Sequence, residues 1–345
     1  MKIKLVYKFE DIINIDNLLL AWQEFIRGKR SKKDVQEFSF RLMDNILQLH
    51  YDLRNGTYKH GGYQCFKIND PKLRTIHKAS VRDRLLHHAV YRILYPFFDK
   101  KFIADSFSCR NDKGAHKAIN RFREYGYIVS KNNTKTCWIL KCDIKKFFAS
   151  VDQGILIKIL ENHICHSGLD PESRITTQTL DSRFRGNDID DLLKEIIFSF
   201  KPNGLPLGNL TSQLFANVYL NELDQFVKHE LKVKYYIRYA DDFVALAKSR
   251  EYLKNITPLI SGFLQNELKL ILHPDKIFVK RLNSGIDFLG WVNFFNYRIL
   301  RTKTKNRMMK GIKENLKPET INSYFGLLKH GKTAEIKKRI LKLCG

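Results

Sequence analysis

The stretch RYADDFVALAK, residues 238–248, places two adjacent carboxylates between two apolar runs. Both flanks are aromatic and β-branched, a composition typical of strands that pack against a core. We therefore predict a tight hairpin that exposes Asp241 and Asp242 at its tip. Two neighbouring negative charges raise the cost of folding unless a divalent cation neutralises them, and hard oxygen ligands select Mg²⁺ or Mn²⁺. The alternative for such a pair, taken alone, is a solvated turn.

A third carboxylate is predicted within KCDIKKFFASVD, residues 141–152. The apolar run before it indicates a strand that ends on Asp143, and helix-like sequence follows. Three acids of this kind can hold two metal ions about 3.5–4 Å apart, which activate a 3′-hydroxyl and stabilise a leaving pyrophosphate. The alternative for Asp143 is a helix N-cap, a common position for aspartate.

The composition predicts a folded and strongly basic protein. The chain has 345 residues, of which 43% are apolar, and a formal net charge of +25. Such a charge predicts a polyanionic partner, either nucleic acid or an anionic membrane surface. No apolar run approaches the roughly 20 residues that span a bilayer, and the first residues lack a signal-peptide pattern. The six scattered cysteines form no Cys-x-x-Cys motif, so we expect free buried thiols in a reducing cytoplasm.

The order of predicted elements indicates an α+β fold. Residues 1–60 carry apolar residues at helical spacing, and residues 63–78 favour a hairpin around Pro71. Ser80 is a typical capping residue for the amphipathic helix that follows. Helices mixed with short antiparallel strands define the class. The later predicted elements are a long helix over 209–232, a helix after the Asp241–Asp242 hairpin, a strand-rich stretch over 276–296 and a basic helical tail from Arg301.

One segment, residues 166–190, has no periodicity and is rich in Asp, Ser, Arg, Gly and Thr. It separates two runs that otherwise predict consecutive helices. Its LDPESR and LDSRFRGND sequences resemble the translation of a small palindromic repeat found in some bacterial genomes, and an ordinary long surface loop is the alternative. On either interpretation we expect a mobile and dispensable excursion.

Five motifs, taken together and in this order, resemble those of reverse transcriptases. The resemblance runs from about residue 20 to residue 340, and it implies a right-hand polymerase with fingers, palm and a short helical thumb. The motifs are DPKLRTIHKASVRDRLLHHAV (70–90), KCDIKKFFASVD (141–152), LPLGNLTSQLFANVYL (205–220), YADD (239–242) and DFLGW (287–291).

The resemblance also implies a division of the chain. The expected parts are an N-terminal helical region over 1–60, fingers over 61–135, a palm over 136–280 with the loop insertion 166–190, a primer-grip-like hairpin over 281–300, and a short thumb over 301–345.

The resemblance assigns catalytic roles to five residues. It implies that Asp143, Asp241 and Asp242 hold Mg²⁺, with Mn²⁺ as a second option, and that the carbonyl of Ile144 is an additional ligand. Lys276, in HPDK, matches the position of a lysine that protonates pyrophosphate. The implied activity is RNA-directed DNA polymerisation from dNTPs by two-metal nucleotidyl transfer, with an RNA template and a cDNA–RNA hybrid as partners.

Further residues are implied to contact the incoming nucleotide. Phe148 lies where the family places a bulky ring under the sugar, so the product should be DNA; ordinary core packing is the alternative, and Phe147 is the ring that we expect in the core. Cations would grip the triphosphate, although basic residues in a turn are more often simply solvated. The predicted triphosphate contacts are Lys72, Arg74 and Arg82.

The loop before the long helix resembles one subfamily. Reverse transcriptases commonly carry Gln before the Gly and Ser-Pro after it, whereas this chain has Leu207 before Gly208 and Gln213 after Ser212. LGNLTSQ resembles the enzymes of diversity-generating retroelements, which copy a template RNA with errors opposite adenine. That resemblance implies a structured template RNA and a small basic pentameric accessory protein as partners, and it makes Leu207 and Gln213 candidate nucleotide-binding residues.

The sequence is compatible with other interpretations. Within the polymerases, the runner-up is a retron or group II intron-like reverse transcriptase, although group II enzymes usually continue beyond a short thumb. From other classes, a non-catalytic RNA-binding palm protein and a membrane-surface protein remain, and the three intact aspartates disfavour the first of these. We expect a cytoplasmic enzyme with no membrane partner.

Overall fold

The computed structural model describes residues 8–69, 73–165, 188–314 and 317–344. The predicted insertion 166–190 therefore lies almost wholly outside the described residues, and so does Lys72. Two compact units are present, and each combines separate segments of the chain. Unit 1 comprises Met1–Ile103, Lys146–Asp224 and Gln265–Leu270, and unit 2 comprises Ala104–Lys145, Gln225–Leu264 and Ile271–Gly345.

Helices and short antiparallel strands are mixed along the chain, as the sequence predicts. The helices are α1 Phe9–Ile13, α2 Ile15–Phe25, α3 Lys33–Phe40, α4 Leu42–Arg54, α5 Val81–Asp99, α6 Ala115–Val129, α7 Phe147–Ser150, α8 Gln153–Cys165, α9 Asp188–Phe198, α10 Leu210–Gln225, α11 Arg250–Glu267, α12 Thr302–Glu314, α13 Pro318–Leu328 and α14 Ala334–Cys344. The strands are β1 Gln64–Asn69, β2 Leu73–Lys78, β3 Trp138–Asp143, β4 Tyr235–Tyr239, β5 Asp242–Ala247, β6 Phe278–Arg281, β7 Ile286–Phe288, β8 Trp291–Asn293 and β9 Arg298–Leu300.

Unit 1 is mainly helical. The predicted cap is confirmed, because the Ser80 side chain accepts a hydrogen bond from the Asp83 amide at the start of α5. Helix α10 is buried along most of its length, and the Tyr219 hydroxyl donates to the Leu268 carbonyl at 2.7 Å. The antiparallel hairpin of β1 and β2 projects largely exposed side chains. Its position matches the hairpin predicted over 63–78.

Unit 2 contains two antiparallel sheets. The first has four strands in the order β4-β5-β3-β6, and the second has three in the order β7-β8-β9. Apolar side chains from α6, both sheets and α12–α14 form a common core that includes Phe122, Val244, Trp291 and Ile312. The burial along β3 and β5 explains why their sequences are nearly continuous apolar runs.

The cysteine prediction is partly wrong. Cys137 and Cys142 are buried, but Cys65 and Cys109 are exposed. Cys65 lies on β1 of the exposed hairpin, and Cys109 lies in a loop with a left-handed backbone, φ 51°. Neither position is covered by a packed layer.

Among the described helices, none combines the length and apolar composition needed to cross a membrane.

Candidate active site

The predicted Asp-Asp hairpin is present, but its two carboxylates occupy different positions. Tyr239 pairs with Asp242 across β4 and β5, so the turn consists of Ala240 and Asp241 alone. Ala240 has a φ of 52°, a left-handed conformation that is unfavourable for a residue with a Cβ. The prediction that both carboxylates are exposed at the tip is wrong for Asp242. It is the first residue of β5, and its side chain is only 21% exposed, because the two-residue turn closes before it.

Strand β3 brings Asp143 to the same place. Asp143 is the register partner of Asp242 across β3 and β5, so the two carboxylates are direct cross-strand neighbours. The Ile144 amide donates to the Asp241 carbonyl at 3.2 Å, which ties the end of β3 to the turn. Like charges directly opposite each other destabilise an antiparallel pair. This repulsion requires compensation by cations.

Two lysines supply compensation within the chain. Lys276 Nζ lies 2.5 Å from Asp143 Oδ2, and Lys141 Nζ lies 3.3 Å from Asp242 Oδ2. Lys141 also donates to the backbone carbonyl of Asp287 at 2.7 Å. Each carboxylate thus has its own ammonium group.

The local backbone explains how Lys276 reaches its partner. The His273 amide donates to the Asp143 carbonyl at 2.7 Å, and the Lys145 amide donates to the Ile271 carbonyl at 2.9 Å. These bonds dock the short turn Pro274–Lys276 against the end of β3. The Ile144 side chain is buried and has no ligand atom, so the predicted metal contact of this residue would be through its backbone carbonyl.

Burial perturbs Asp242 strongly. Desolvation raises the pKa of Asp242 to about 7, Lys141 opposes this rise, and Asp143 and Asp241 add to it. Asp242 Oδ1 is buried, with no hydrogen-bond partner in the described part of the chain. A buried carboxylate oxygen without a partner is costly, and a divalent cation would satisfy it. The donor set, carboxylates plus a backbone carbonyl, is of the type that Mg²⁺ prefers.

The carboxylate side chains of the described residues do not form a preassembled metal site. Within residues 8–69, 73–165, 188–314 and 317–344, no group of three or more His, Cys, Asp or Glu side chains has a metal-holding geometry. The ammonium groups of Lys141 and Lys276 form ion pairs with the carboxylates of Asp242 and Asp143. A metal that binds here must therefore compete with Lys141 and Lys276 for the carboxylate oxygens.

Sequence reasoning missed Lys141. The residue lies two positions before Asp143 on the same strand, and side chains two residues apart share one face of a sheet. That spacing could have indicated that Lys141 and Asp143 lie side by side. It could not have indicated the ion pair with Asp242, because that pair depends on the register of β3 against β5.

Phe147 and Phe148 lie in different environments. Phe147 is 2% exposed, which confirms the core prediction, and Phe148 is half-buried. The Leu205 amide donates to the Phe148 carbonyl at 2.7 Å. Gly204, with a φ of 87°, approaches so closely that a Cβ would lie 2.6 Å from that carbonyl oxygen. The Phe148 backbone is thus fixed by a loop that only glycine permits.

Two of the three predicted triphosphate contacts, Arg74 and Arg82, are among the described residues of unit 1. Arg74 is exposed on β2. Arg82 instead forms an ion pair with Asp52, at 2.5 Å between Nη2 and Oδ2, and its guanidinium lies 4.8 Å from the Tyr58 ring centroid. For Arg82 to reach a phosphate, it must leave this pair. Its role, like those of Lys72 and Arg74, stays a prediction.

The subfamily loop also lies in unit 1, next to the hairpin. The His77 amide of β2 donates to the Leu207 carbonyl at 2.8 Å. Leu207 and Gln213 are both half-buried, and Gln213 lies on the first turn of α10. The loop and the hairpin that carries Arg74 are therefore joined through their backbones.

Comparison with known protein families is decisive. The family profile described as "Reverse transcriptase (RNA-dependent DNA polymerase)" matches residues 59–293, more than half of the chain. The chain belongs to the reverse transcriptase family. The matched range includes Asp143, Asp241, Asp242 and Lys276, the four side chains at the end of β3.

Curated relatives of this reverse transcriptase chain are distant. Protein YkfC of Escherichia coli (strain K12) is 25% identical over 272 residues, which cover 69% of this chain and 66% of that protein. The Group II intron-encoded protein LtrA of Lactococcus lactis subsp. cremoris is 24% identical over 351 residues, which cover 83% of this chain and 54% of that protein. The chain spans about half to two thirds of the length of these relatives.

Solved structures show the same fold as this reverse transcriptase chain. Telomerase from Candida albicans, in complex with a TWJ fragment of telomeric RNA, has a TM-score of 0.52 at 13% identity and covers 85% of this chain and 54% of that one. Apo telomerase from Candida tropicalis has a TM-score of 0.51 at 13% identity, with coverage of 71% and 49%. The mixed helical and antiparallel-sheet architecture is that of a polymerase, as predicted.

Proposed function

We propose that the protein is an RNA-directed DNA polymerase that copies an RNA template into cDNA from dNTPs. The observation that carries the proposal is the cross-strand pairing of Asp143 with Asp242 beside the Asp241 turn. This arrangement presents carboxylates from two chain segments at one sheet end, as two-metal nucleotidyl transfer requires. The membership of the reverse transcriptase family supports it.

The residues have distinct proposed roles. Asp143, Asp241, Asp242 and the Ile144 carbonyl would hold Mg²⁺, which supplies Lewis-acid activation of the 3′-hydroxyl and neutralises the phosphate charge. Lys276 lies beside Asp143, where it can transfer a proton to the leaving pyrophosphate. Phe148 would exclude a 2′-hydroxyl from the sugar position. Lys72, Arg74 and Arg82 would hold the triphosphate.

Primer extension tests the proposal directly. Asp241→Asn and Asp143→Asn should each abolish cDNA synthesis on a primed RNA template, because each removes one charge from the metal site. Asp112→Asn is the matched control: it makes the same substitution at an exposed residue of unit 2, with a φ of 55° that Asn tolerates. Extension at the wild-type rate by either active-site variant contradicts the assignment. Binding of the RNA should survive in all three variants, since phosphate contacts dominate it.

The finer proposal is that the enzyme serves a diversity-generating retroelement and miscopies template adenines. Its support is the loop LGNLTSQ, with Leu207 and Gln213 in place of the common residues. A structured template RNA and a small basic pentameric protein would be its partners. The genomic test is a near-identical repeat pair, close to the gene, that differs at adenines.

A group II intron-like enzyme is the second candidate. The observation that favours it is the similarity to the intron-encoded protein LtrA over 83% of this chain. An intron-like RNA structure flanking the gene, with no adenine-variant repeat, would support this candidate over the retroelement.

A further inference from the structure

The side chain of Arg298 is buried with unsatisfied hydrogen-bonding capacity. It is the first residue of β9 and is only 6% exposed. Its Nη2 donates to Asn120 Oδ1 at 2.7 Å, whereas its Nη1 is buried without a partner in the described residues. Burial, together with the nearby Arg123, lowers the pKa of Arg298. A buried guanidinium normally has a carboxylate or another anion beside it.

The surroundings of Arg298 are cationic. It lines a cavity of about 440 Å³ that contains three further cations, Arg123, Lys329 and Lys332. The described residues lining this cavity include no Asp or Glu. His330 also lines it, and its ring stacks on His116 with centroids 3.8 Å apart. The cavity therefore has the charge of an anion-binding site and lacks an internal anion.

The walls of this cavity are held by backbone contacts. The Lys332 amide donates to the Arg298 carbonyl at 2.8 Å, which places the loop between α13 and α14 against β9. Gly331 in that loop lies so close that a Cβ would be 2.8 Å from the Arg298 carbonyl oxygen and 2.2 Å from the Trp291 ring. Only glycine fits there. The cation-bearing loop is thus seated on the sheet by a contact that larger residues would prevent.

An aromatic surface adjoins the cations. Tyr297 is 47% exposed, its ring stacks on Phe294 at 4.7 Å, and Lys332 Nζ lies 5.7 Å from its centroid. A second cavity of about 790 Å³ shares Asn120 and Arg123 with the first, and its charged lining residues are Lys113, Lys117, Arg121 and Arg123 together with Asp112 and Glu124. Cations beside an exposed aromatic ring are the combination that binds phosphates and stacks bases of single strands.

We infer that the Arg298 cavity binds a backbone phosphate of a single-stranded nucleic acid, with Tyr297 stacking an adjacent base. The inference goes beyond the proposed function, because none of the catalytic carboxylates lines the cavity. The β8–β9 loop that carries Tyr297 lies at the opposite end of the small sheet from the β7–β8 turn, near which Asp287 contacts Lys141. A single-stranded nucleic acid bound in the Arg298 cavity would therefore lie away from the Asp143 and Asp242 carboxylates.

The test measures binding of a fluorescein-labelled U12 RNA in EDTA, without primer or dNTP. Arg298→Gln should weaken binding about tenfold, because one charge-assisted phosphate contact is lost. The slope of log affinity against log salt should fall by about 0.7, the value for one phosphate of a single strand. Lys33→Gln is the control, since it removes a lysine that is 91% exposed and should change affinity less than twofold. Equal losses in both variants would show that only net charge matters and would overturn the inference.

Two further arms keep the test decisive. The rim variant Arg123→Gln/Lys332→Gln changes only exposed side chains and should also weaken U12 binding, so a folding defect in Arg298→Gln does not remove the test. At low salt, the unfolding temperature of Arg298→Gln should be no lower than that of the wild type, since the substitution removes an uncompensated buried charge. If the role of Arg298 were purely structural, the substitution would lower the unfolding temperature. Inorganic phosphate or UMP that displaces the RNA at equal phosphate concentration would show a site for free anions and overturn the strand assignment. Loss of extension in Asp241→Asn is independent of all these outcomes.

Discussion

Asp143 and Asp242 face each other across β3 and β5, and each is paired with a different lysine. The sheet thereby holds two like charges in direct register. The fold tolerates them because Lys141 and Lys276 supply compensating charge, and because the raised pKa of Asp242 reduces the charge of that carboxyl near neutral pH.

This pairing predicts opposite responses to metal in two variants. Asp242→Asn should raise the unfolding temperature in EDTA by about 2 °C, because it removes an ionised group that the fold disfavours. Saturating Mg²⁺ should raise the unfolding temperature of the wild type and leave Asp242→Asn unchanged. Calorimetry with and without Mg²⁺ provides the measurement. Asp275→Asn, at a side chain that is 88% exposed, should respond to Mg²⁺ like the wild type; equal stabilisation of Asp242→Asn would contradict the metal assignment.

The two adjacent phenylalanines offer a matched pair for sugar selection. Phe148→Ala should reduce the preference for dNTPs over rNTPs by about tenfold or more, because the substitution removes the ring that we propose excludes a 2′-hydroxyl. Phe147→Leu should leave this preference unchanged and lower stability, since Phe147 is buried and packing is lost. Single-nucleotide incorporation with both nucleotide types measures the ratio. An unchanged ratio in Phe148→Ala would assign that ring to ordinary packing.

Fidelity is predicted to depend on Leu207. Leu207→Gln introduces a hydrogen-bonding group next to the β1–β2 hairpin, to which the loop is already joined through the His77–Leu207 backbone bond. One added hydrogen bond is worth about 1 kcal/mol, so misincorporation opposite template adenine should fall several-fold. Sequencing of the cDNA provides the count. If an active Leu207→Gln variant miscopies adenine as often as the wild type, Leu207 does not influence fidelity at template adenine.

Acid sensitivity is predicted from His87 in α5. Its side chain is 1% exposed, and Nε2 lies 3.2 Å from Nε2 of His60. Burial, and then the charge of His60, lower the pKa of His87 to about 3. The unfolded chain therefore binds the extra proton below pH ~6.5 while the folded chain does not, so stability falls as the pH drops from there towards 3.

The expected loss from His87 alone is about 2 kcal/mol between pH 7 and pH 5. Urea unfolding at the two pH values measures it. Between pH 7 and pH 5, the free energy of unfolding of His87→Asn should fall by about 2 kcal/mol less than that of the wild type, although it is lower than that of the wild type at pH 7. His229→Asn, at an exposed histidine, should behave like the wild type, and the same acid loss in His87→Asn would show that other groups cause it.

Capping residues and apolar spacing in the sequence predicted elements whose formation depends on neighbouring residues. Ser80 begins α5 as its capping preference indicates, and the apolar run before Asp143 forms β3. The position of Asp242 inside the strand was not predictable, because it follows from a two-residue turn whose Ala240 takes a conformation that its propensity opposes. Propensity describes average preferences, and such turns are imposed by the strands on either side.

Contacts between distant segments were likewise beyond local reasoning. Arg298 and Asn120 are 178 residues apart in sequence, and an arginine between Tyr297 and Ile299 gives no indication of burial. The ion pair of Lys141 with Asp242 depends on register in the same way. The family resemblance pointed to the three aspartates and to Lys276, whereas no motif pointed to Lys141, the ion-pair partner of Asp242.

The division of the chain has a consequence for how this enzyme can be cut or recombined. The sequence passes from one unit to the other at residues 103–104, 145–146, 224–225, 264–265 and 270–271. No single break therefore releases either unit as an uninterrupted fragment. A chimaera joined at one crossover point would build at least one unit from segments of both parents, so exchange of a whole unit between homologues requires several simultaneous junctions. Inheritance of unit 2, which carries the three aspartates, is thereby coupled to inheritance of unit 1.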